Sequence, residues 1–107
     1  MNLKIEITTK FKRKAKILLK KYPSFKKELY ELINVLEANP TYGTSIKHNC
    51  YKIRLSIKSK GKGKSSGARV ITHLHIKDTT VYLIYIYDKS EQDSISDKEL
   101  LELIKEL

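Results

Sequence analysis

The residues best equipped for chemistry in this chain are cations. Between Ser56 and Ile76 the sequence reads SIKSKGKGKSSGARVITHLHI, which sets Lys58, Lys60, Lys62, Lys64 and Arg69 around three glycines, with Lys52 and Arg54 just upstream. Ammonium and guanidinium groups at this density suit a phosphate. Cations fixed where negative charge grows during phosphoryl transfer stabilise the transition state, one well-placed donor contributing about 3 kcal/mol. Arg69 is the strongest candidate, because a guanidinium makes paired contacts with phosphate oxygens. Lys52 and Arg54 join it as catalytic candidates. Lys58, Lys60, Lys62 and Lys64 are expected to hold substrate. The bland alternative is a basic hairpin connection that serves solubility.

Other chemistries fit less well. GKGKSS imitates the end of a nucleotide-binding P-loop, but the first glycine of that pattern would fall at Lys58 and a β-pattern follows where a helix is required. His73 and His75 lie two apart, hence on one strand face, and are read either as acid–base groups or as a packed polar pair. His73 is placed among the substrate contacts. Cys50 and His48 are too few for a zinc site, which takes three or four ligands. No cofactor is expected. Tyr87, at a strand end before Asp88-Lys89, is a candidate functional residue. A phenol titrates near 10, so it acts as a base only where cations lower it. Lys89 is placed with the substrate-binding group, and Lys89 with Glu91 reads as an orienting pair.

The chain around these residues has 107 residues and a formal net charge of +10. That length predicts one domain over 1–107. The charge is unevenly spread: 19 basic residues stand against 4 acidic ones in residues 1–77, and 3 against 8 in residues 78–107. A basic body with an acidic tail favours a polyanionic partner. A single cysteine, Cys50, makes no internal disulfide and fits a reducing cytoplasm. The longest apolar run, VYLIYIY, is far below the roughly 20 residues needed to span a bilayer, so no membrane partner is expected.

The elements that must position the cations follow from periodicity. LKIEIT alternates as a strand. KFKRKAKILLKKY carries Phe11, Ala15, Leu18, Leu19 and Tyr22 at helical spacing, with a basic outer face that includes Lys12, Arg13, Lys16 and Lys20 and could meet a polyanion. Pro23-Ser24 breaks it, and Ser24 is expected to cap a second helix running to Pro40. CYKIRLSIKS alternates cleanly: Tyr51, Ile53, Leu55 and Ile57 point one way, Lys52, Arg54, Ser56 and Lys58 the other. ARVITHLHI and VYLIYIY complete an antiparallel three-strand meander. SISDKELLELIKEL opens with a capping box, Ser96 and Glu99, and forms a short C-terminal helix. The expected class is α+β: an N-terminal strand, a helical hairpin over one sheet face, the meander, and a basic opposite face left open.

In GKGKSSGARVITHLHIKDTTVYLIYIYDKSEQDSIS the chain resembles the RelE/ParE superfamily of bacterial toxins, in its RelE/HigB-like branch. There a G-[RK]-G-K-S-G-G-[AS]-R-[VI] segment precedes an aromatic and apolar strand and then Y-x-K-x-E. Gly67, Ala68, Arg69 and Val70 keep that pattern, Ser66 replaces a glycine, and Tyr87, Lys89 and Glu91 fill the second motif. The resemblance implies a RelE-like fold and a type II toxin with a cognate antitoxin as partner. It also implies a ribosome-dependent mRNA endoribonuclease in which the ribose 2′-OH attacks its own phosphate without a metal, with mRNA and ribosomal RNA as further partners. Lys52, Arg54, Arg69 and Tyr87 occupy the positions it implies for catalysis. Two other readings stay open: a ParE-like inhibitor of DNA gyrase, and a catalytically degenerate module that keeps only antitoxin or RNA affinity.

Overall fold

A computed structural model describes residues 3–60 and 67–107. The chain runs β1 (Lys4–Ile7), α1 (Thr9–Lys21), α2 (Phe25–Ala38), β2 (Thr44–Ser45), β3 (Cys50–Leu55), a 3₁₀ turn (Lys58–Lys60), β4 (Ala68–His75), β5 (Thr80–Asp88) and α3 (Asp97–Lys105). The five strands form one sheet in the order β1-β5-β4-β3-β2. The predicted meander is its centre: β3, β4 and β5 pair antiparallel. β1 adds a parallel edge beside β5, and the two-residue β2 pairs antiparallel with β3. The two-residue turn before β3 uses His48 and Asn49, both at positive φ, as a tight hairpin of this kind requires.

The helical hairpin buries one sheet face. Phe11, Ala15 and Leu18 of α1 and Phe25, Leu32 and Leu36 of α2 pack on Ile53, Leu55, Val70, Val81, Leu83 and Ile86. Thr8 fixes the start of α1 twice: its hydroxyl accepts from the Phe11 N–H at 3.2 Å and donates to the Leu83 carbonyl at 3.2 Å. Ser24 stands at the N-cap of α2, but its side chain makes no capping bond. Its hydroxyl instead serves Glu28 and Ser59, so the expected cap is replaced by a tertiary contact.

The second face is only partly open, contrary to expectation. α3, started by the predicted Ser96–Glu99 capping box, lays Leu100 and Leu103 on Cys50, Ile71, Ile84 and Tyr85. The apolar stripe of this amphipathic helix meets Cys50 and Ile71 there, and a change of phase in β5 adds to that surface. The β4–β5 register passes from Ile71↔Tyr85 to Thr72↔Leu83, which leaves Ile84 without an opposite number. This β-bulge sends both Ile84 and Tyr85 to the α3 side.

Gly67 closes the connection into β4. A Cβ there would lie 2.2 Å from the Leu55 carbonyl oxygen, which is backbone and cannot step aside. Gly67→Ala is therefore expected to cost about 1–3 kcal/mol through overpacking. Urea denaturation checks this, and an unchanged midpoint would contradict the close approach.

Candidate active site

The basic residues converge through strand register. Arg54 of β3 lies opposite Arg69 of β4, and Arg69 lies opposite Tyr87 of β5. Residues so paired have Cβ atoms roughly 4.5–5.5 Å apart. Lys52, two residues before Arg54, shares its side of the strand and sits opposite Ile71, which in turn faces Tyr85. Lys52, Arg54, Arg69 and Tyr87 therefore form one patch on the α3 side, where Lys52 borders a cavity that Asp97 and Leu100 at the start of α3 also line. Two guanidinium groups on facing positions repel, and a phosphodiester between them converts the repulsion to attraction.

Exposure grades across this row. Arg54 is exposed and Lys52 half-buried, while Arg69 and Tyr87 are buried at 6% and 3%. The Arg69 guanidinium donates to the Ala68 carbonyl at 3.2 Å, which orients it over the strand. The Tyr87 hydroxyl is buried and, among the described residues, has no hydrogen-bond partner. Burial raises the Tyr87 pKa above its ordinary 10, and the nearby Arg69 offsets this only in part. The phenol thus stays neutral and is a proton donor, not the base that a cationic neighbourhood alone would suggest. Its ring lies 6.0 Å from that of Tyr85. Over Tyr85 stand the ammonium groups of Lys14 at 4.9 Å and Lys10 at 5.9 Å.

Of the lysines expected to hold substrate, Lys60 has another task. Its ammonium pairs with Asp88, and both side chains are almost wholly buried, 10% and 2% exposed. Asp88 also accepts from the Ser90 N–H and hydroxyl at 2.9 and 2.7 Å and from the Tyr22 hydroxyl at 3.2 Å. The turn before it is held by Glu28, whose carboxylate accepts from the Lys58 N–H at 2.7 Å, and by reciprocal Ser24–Ser59 bonds. Lys58 keeps an exposed side chain. Lys62 and Lys64 lie outside the described residues. Lys89 bonds Asp93 at 2.6 Å, and Glu91 reaches Lys21 at 3.4 Å, so the expected Lys89–Glu91 pair does not form. His73 faces the same side as Arg69 but four residues further along β4, roughly 13 Å away. It packs against Cys50, with Sγ 3.5 Å from its Nδ1, and burial lowers its pKa. Burial likewise pushes the Cys50 thiol up to about 12, so it is an inert core group.

The model of the family described as the RelE toxin of the RelE/RelB toxin–antitoxin system matches residues 3–107. The chain belongs to the RelE toxin family. As a RelE-family type II toxin it has an antitoxin for a partner. No curated protein matches it significantly. Among solved structures it is similar to the free state of a double arginine-to-alanine mutant of the E. coli toxin RelE. The TM-score is 0.62 at 17% identity, covering 100% of this chain and 99% of that one. At that identity the likeness speaks for the fold, and it agrees with the RelE-like architecture expected from the element order.

Asp88 and Lys14 are the residues of this toxin's patch that sequence reasoning did not single out. A carboxylate at the end of an otherwise apolar strand was the available sign for Asp88. Burial pushes its carboxyl up, but hydrogen bonds from Lys60 and Ser90 outweigh that and hold it at about 2. A carboxyl depressed from its usual 3.8 contributes stability that is complete above about pH 4 and lost as pH falls through 2. Asp88→Asn should remove a component of about 2 kcal/mol at neutral pH. Denaturation at pH 7 and pH 2.5 checks it: the variant's deficit should shrink sharply in acid, and a deficit equal at both would contradict the pairing.

Proposed function

We propose that residues 1–107 act as a single RelE-like toxin domain in the cytoplasm that cuts mRNA on the ribosome without a metal. What carries this reading is the register row Arg54–Arg69–Tyr87, two cations and a neutral phenol on adjacent strands, with Lys52 beside them. A scissile phosphate lying over this row would meet Arg69 and Arg54 as the 2′-oxygen attacks. A P–O2′ bond forms, the P–O5′ bond breaks, the 2′-hydroxyl proton passes to water, and the departing 5′-oxygen takes a proton from Tyr87. Lys52 and Arg54 supply charge at the open side, and Arg69, buried and oriented, supplies it where solvent screens least.

The row has no shape that would select one mRNA sequence, and a ribosome would present the strand already positioned. The remaining basic surface on α1, including Lys12, Arg13, Lys16 and Lys20, suits ribosomal RNA backbone, which is bound through charge and with little sequence information. An antitoxin laid across the patch would neutralise the toxin by occlusion and opposite charge. A gyrase inhibitor, the alternative reading, would have no use for a buried phenol opposite an arginine that itself faces a second arginine.

Arg69→Ala should lower cleavage of ribosome-bound mRNA by about 10²-fold and relieve growth arrest, while antitoxin still binds. Induction without antitoxin, with transcript mapping within translated codons, measures this. Growth arrest with intact translated transcripts would overturn the reading, and double-strand DNA breaks in its place would select the gyrase alternative.

A further inference from the structure

Between α1 and the segment that leaves β5 lies a cleft of about 230 Å³, lined by Lys14, Ile17, Tyr87, Asp88, Glu91 and Gln92 among others. Most of its polar groups are spent on neighbours around it. Asp88 is paired with Lys60 and Glu91 with Lys21. Gln92 accepts from the Tyr85 hydroxyl at 3.1 Å and donates to the Ser94 carbonyl at 2.9 Å. Two groups are left over. One is the Tyr87 hydroxyl, buried and without a partner among the described residues. The other is the Lys14 ammonium, which has no carboxylate partner among the described residues and rests 4.9 Å above the Tyr85 ring.

Lys10 stands one helical turn before Lys14 and approaches the same ring, at 5.9 Å. Like charges at this spacing disfavour the helix, and both ammonium groups converge on one aromatic face. Cation–π attraction repays part of that cost. An anion bridging the two lysines would repay the rest. The two carboxylates that line the cleft, Asp88 and Glu91, already have cationic partners, so Lys14 carries the cleft's unmatched charge, while Lys10 also borders the adjoining cavity that Glu106 lines.

We propose that Lys14, with Lys10 beside it, is an anion subsite that receives a backbone phosphate of the RNA strand flanking the scissile one. The inference rests on the ribonuclease reading for its choice of RNA. The subsite is continuous with the Arg54–Arg69 row through Tyr85 and Tyr87, so a strand crossing the sheet from β3 towards α1 passes from one set of cations to the other. Tyr85 and Tyr87 are buried, so the path is read by its cations alone, which contact backbone phosphates and not bases. An acidic protein segment would also be drawn to the lysines, but the paired guanidinium groups at the other end of the path suit a phosphodiester, and the strand that continues from it is RNA.

The test uses full-length toxin freed of antitoxin and a fluorescent 2′-O-methyl RNA oligonucleotide, which binds and cannot be cut by its own 2′-oxygen. Affinity is measured against salt concentration for wild type, Lys14→Ala, Lys10→Ala and, as a control at the far end of the sheet, Lys77→Ala. Lys14→Ala should weaken binding about tenfold and reduce the slope of log affinity against log salt by about 0.7, the value for one lost contact to a single strand. Lys77→Ala should match wild type. On ribosome-bound mRNA, Lys14→Ala should raise KM with little change in kcat, since the contact is made before and during the reaction alike. An unchanged slope for Lys14→Ala overturns the subsite, and so does a loss of antitoxin affinity with RNA affinity intact. A wild type that binds the RNA with the predicted Lys14 dependence yet cuts no mRNA would sink the ribonuclease reading and leave the subsite standing.

Discussion

The arrangement of this toxin's basic patch depends on one extra residue in β5. Along a regular strand, Val81, Leu83, Tyr85 and Tyr87 would all face the helical hairpin. The bulge at Ile84 reverses the phase, so Val81 and Leu83 stay in the hairpin core while Tyr85 and Tyr87 cross to the other side. Only then does Tyr87 come opposite Arg69, and Tyr85 joins Ile84 in the apolar surface that α3 covers. A bulge commonly re-aims side chains near functional sites. Here it converts a buried hydrophobic strand into one that carries a core at one end and a polar row at the other.

A second constraint holds the row in place. Asp88 directly follows Tyr87 and gathers Lys60, Ser90 and Tyr22 around one carboxylate. Burying that charge alone would be costly. Buried with a cation and three further donors it is satisfied, and breaking the set by removing one partner strands the other. The pair ties the turn after β3 to the end of β5, across β4, while Glu28 and Ser24 tie the same turn to α2. The cost is that Lys60 is withdrawn from the cations that could meet a substrate. The gain is a fixed frame around Arg69 and Tyr87.

Much of this was legible in the residues. The period-2 alternation of CYKIRLSIKS assigned Lys52 and Arg54 to one face and Ile53 and Leu55 to the core, and the sheet keeps that assignment. The Ser96–Glu99 spacing marked the start of α3, and the helical hairpin followed from Pro23 and the two apolar stripes. The bulge was not legible, because VYLIYIY is apolar at every position and carries no alternation from which a phase change could be read. Nor was the fate of individual charges. Lys60 differs from Lys58 only in whether a buried carboxylate lies within reach, and Lys89 faces Asp93 rather than Glu91 because the chain turns there. Such pairings are set by tertiary geometry. Periodicity assigns a residue to a face, but it does not say which neighbour that face will meet.

The central claim is that a phosphodiester lies between Arg54 and Arg69 while its own 2′-oxygen displaces the 5′-oxygen. The chemistry of the cut ends tests it most directly. Purified toxin acting on ribosome-bound mRNA in the presence of a chelator should leave a 2′,3′-cyclic phosphate, or the 3′-phosphate that its hydrolysis yields, and a 5′-hydroxyl. A 3′-hydroxyl with a 5′-phosphate, or cleavage abolished by the chelator while the ribosomes remain intact, would contradict the account.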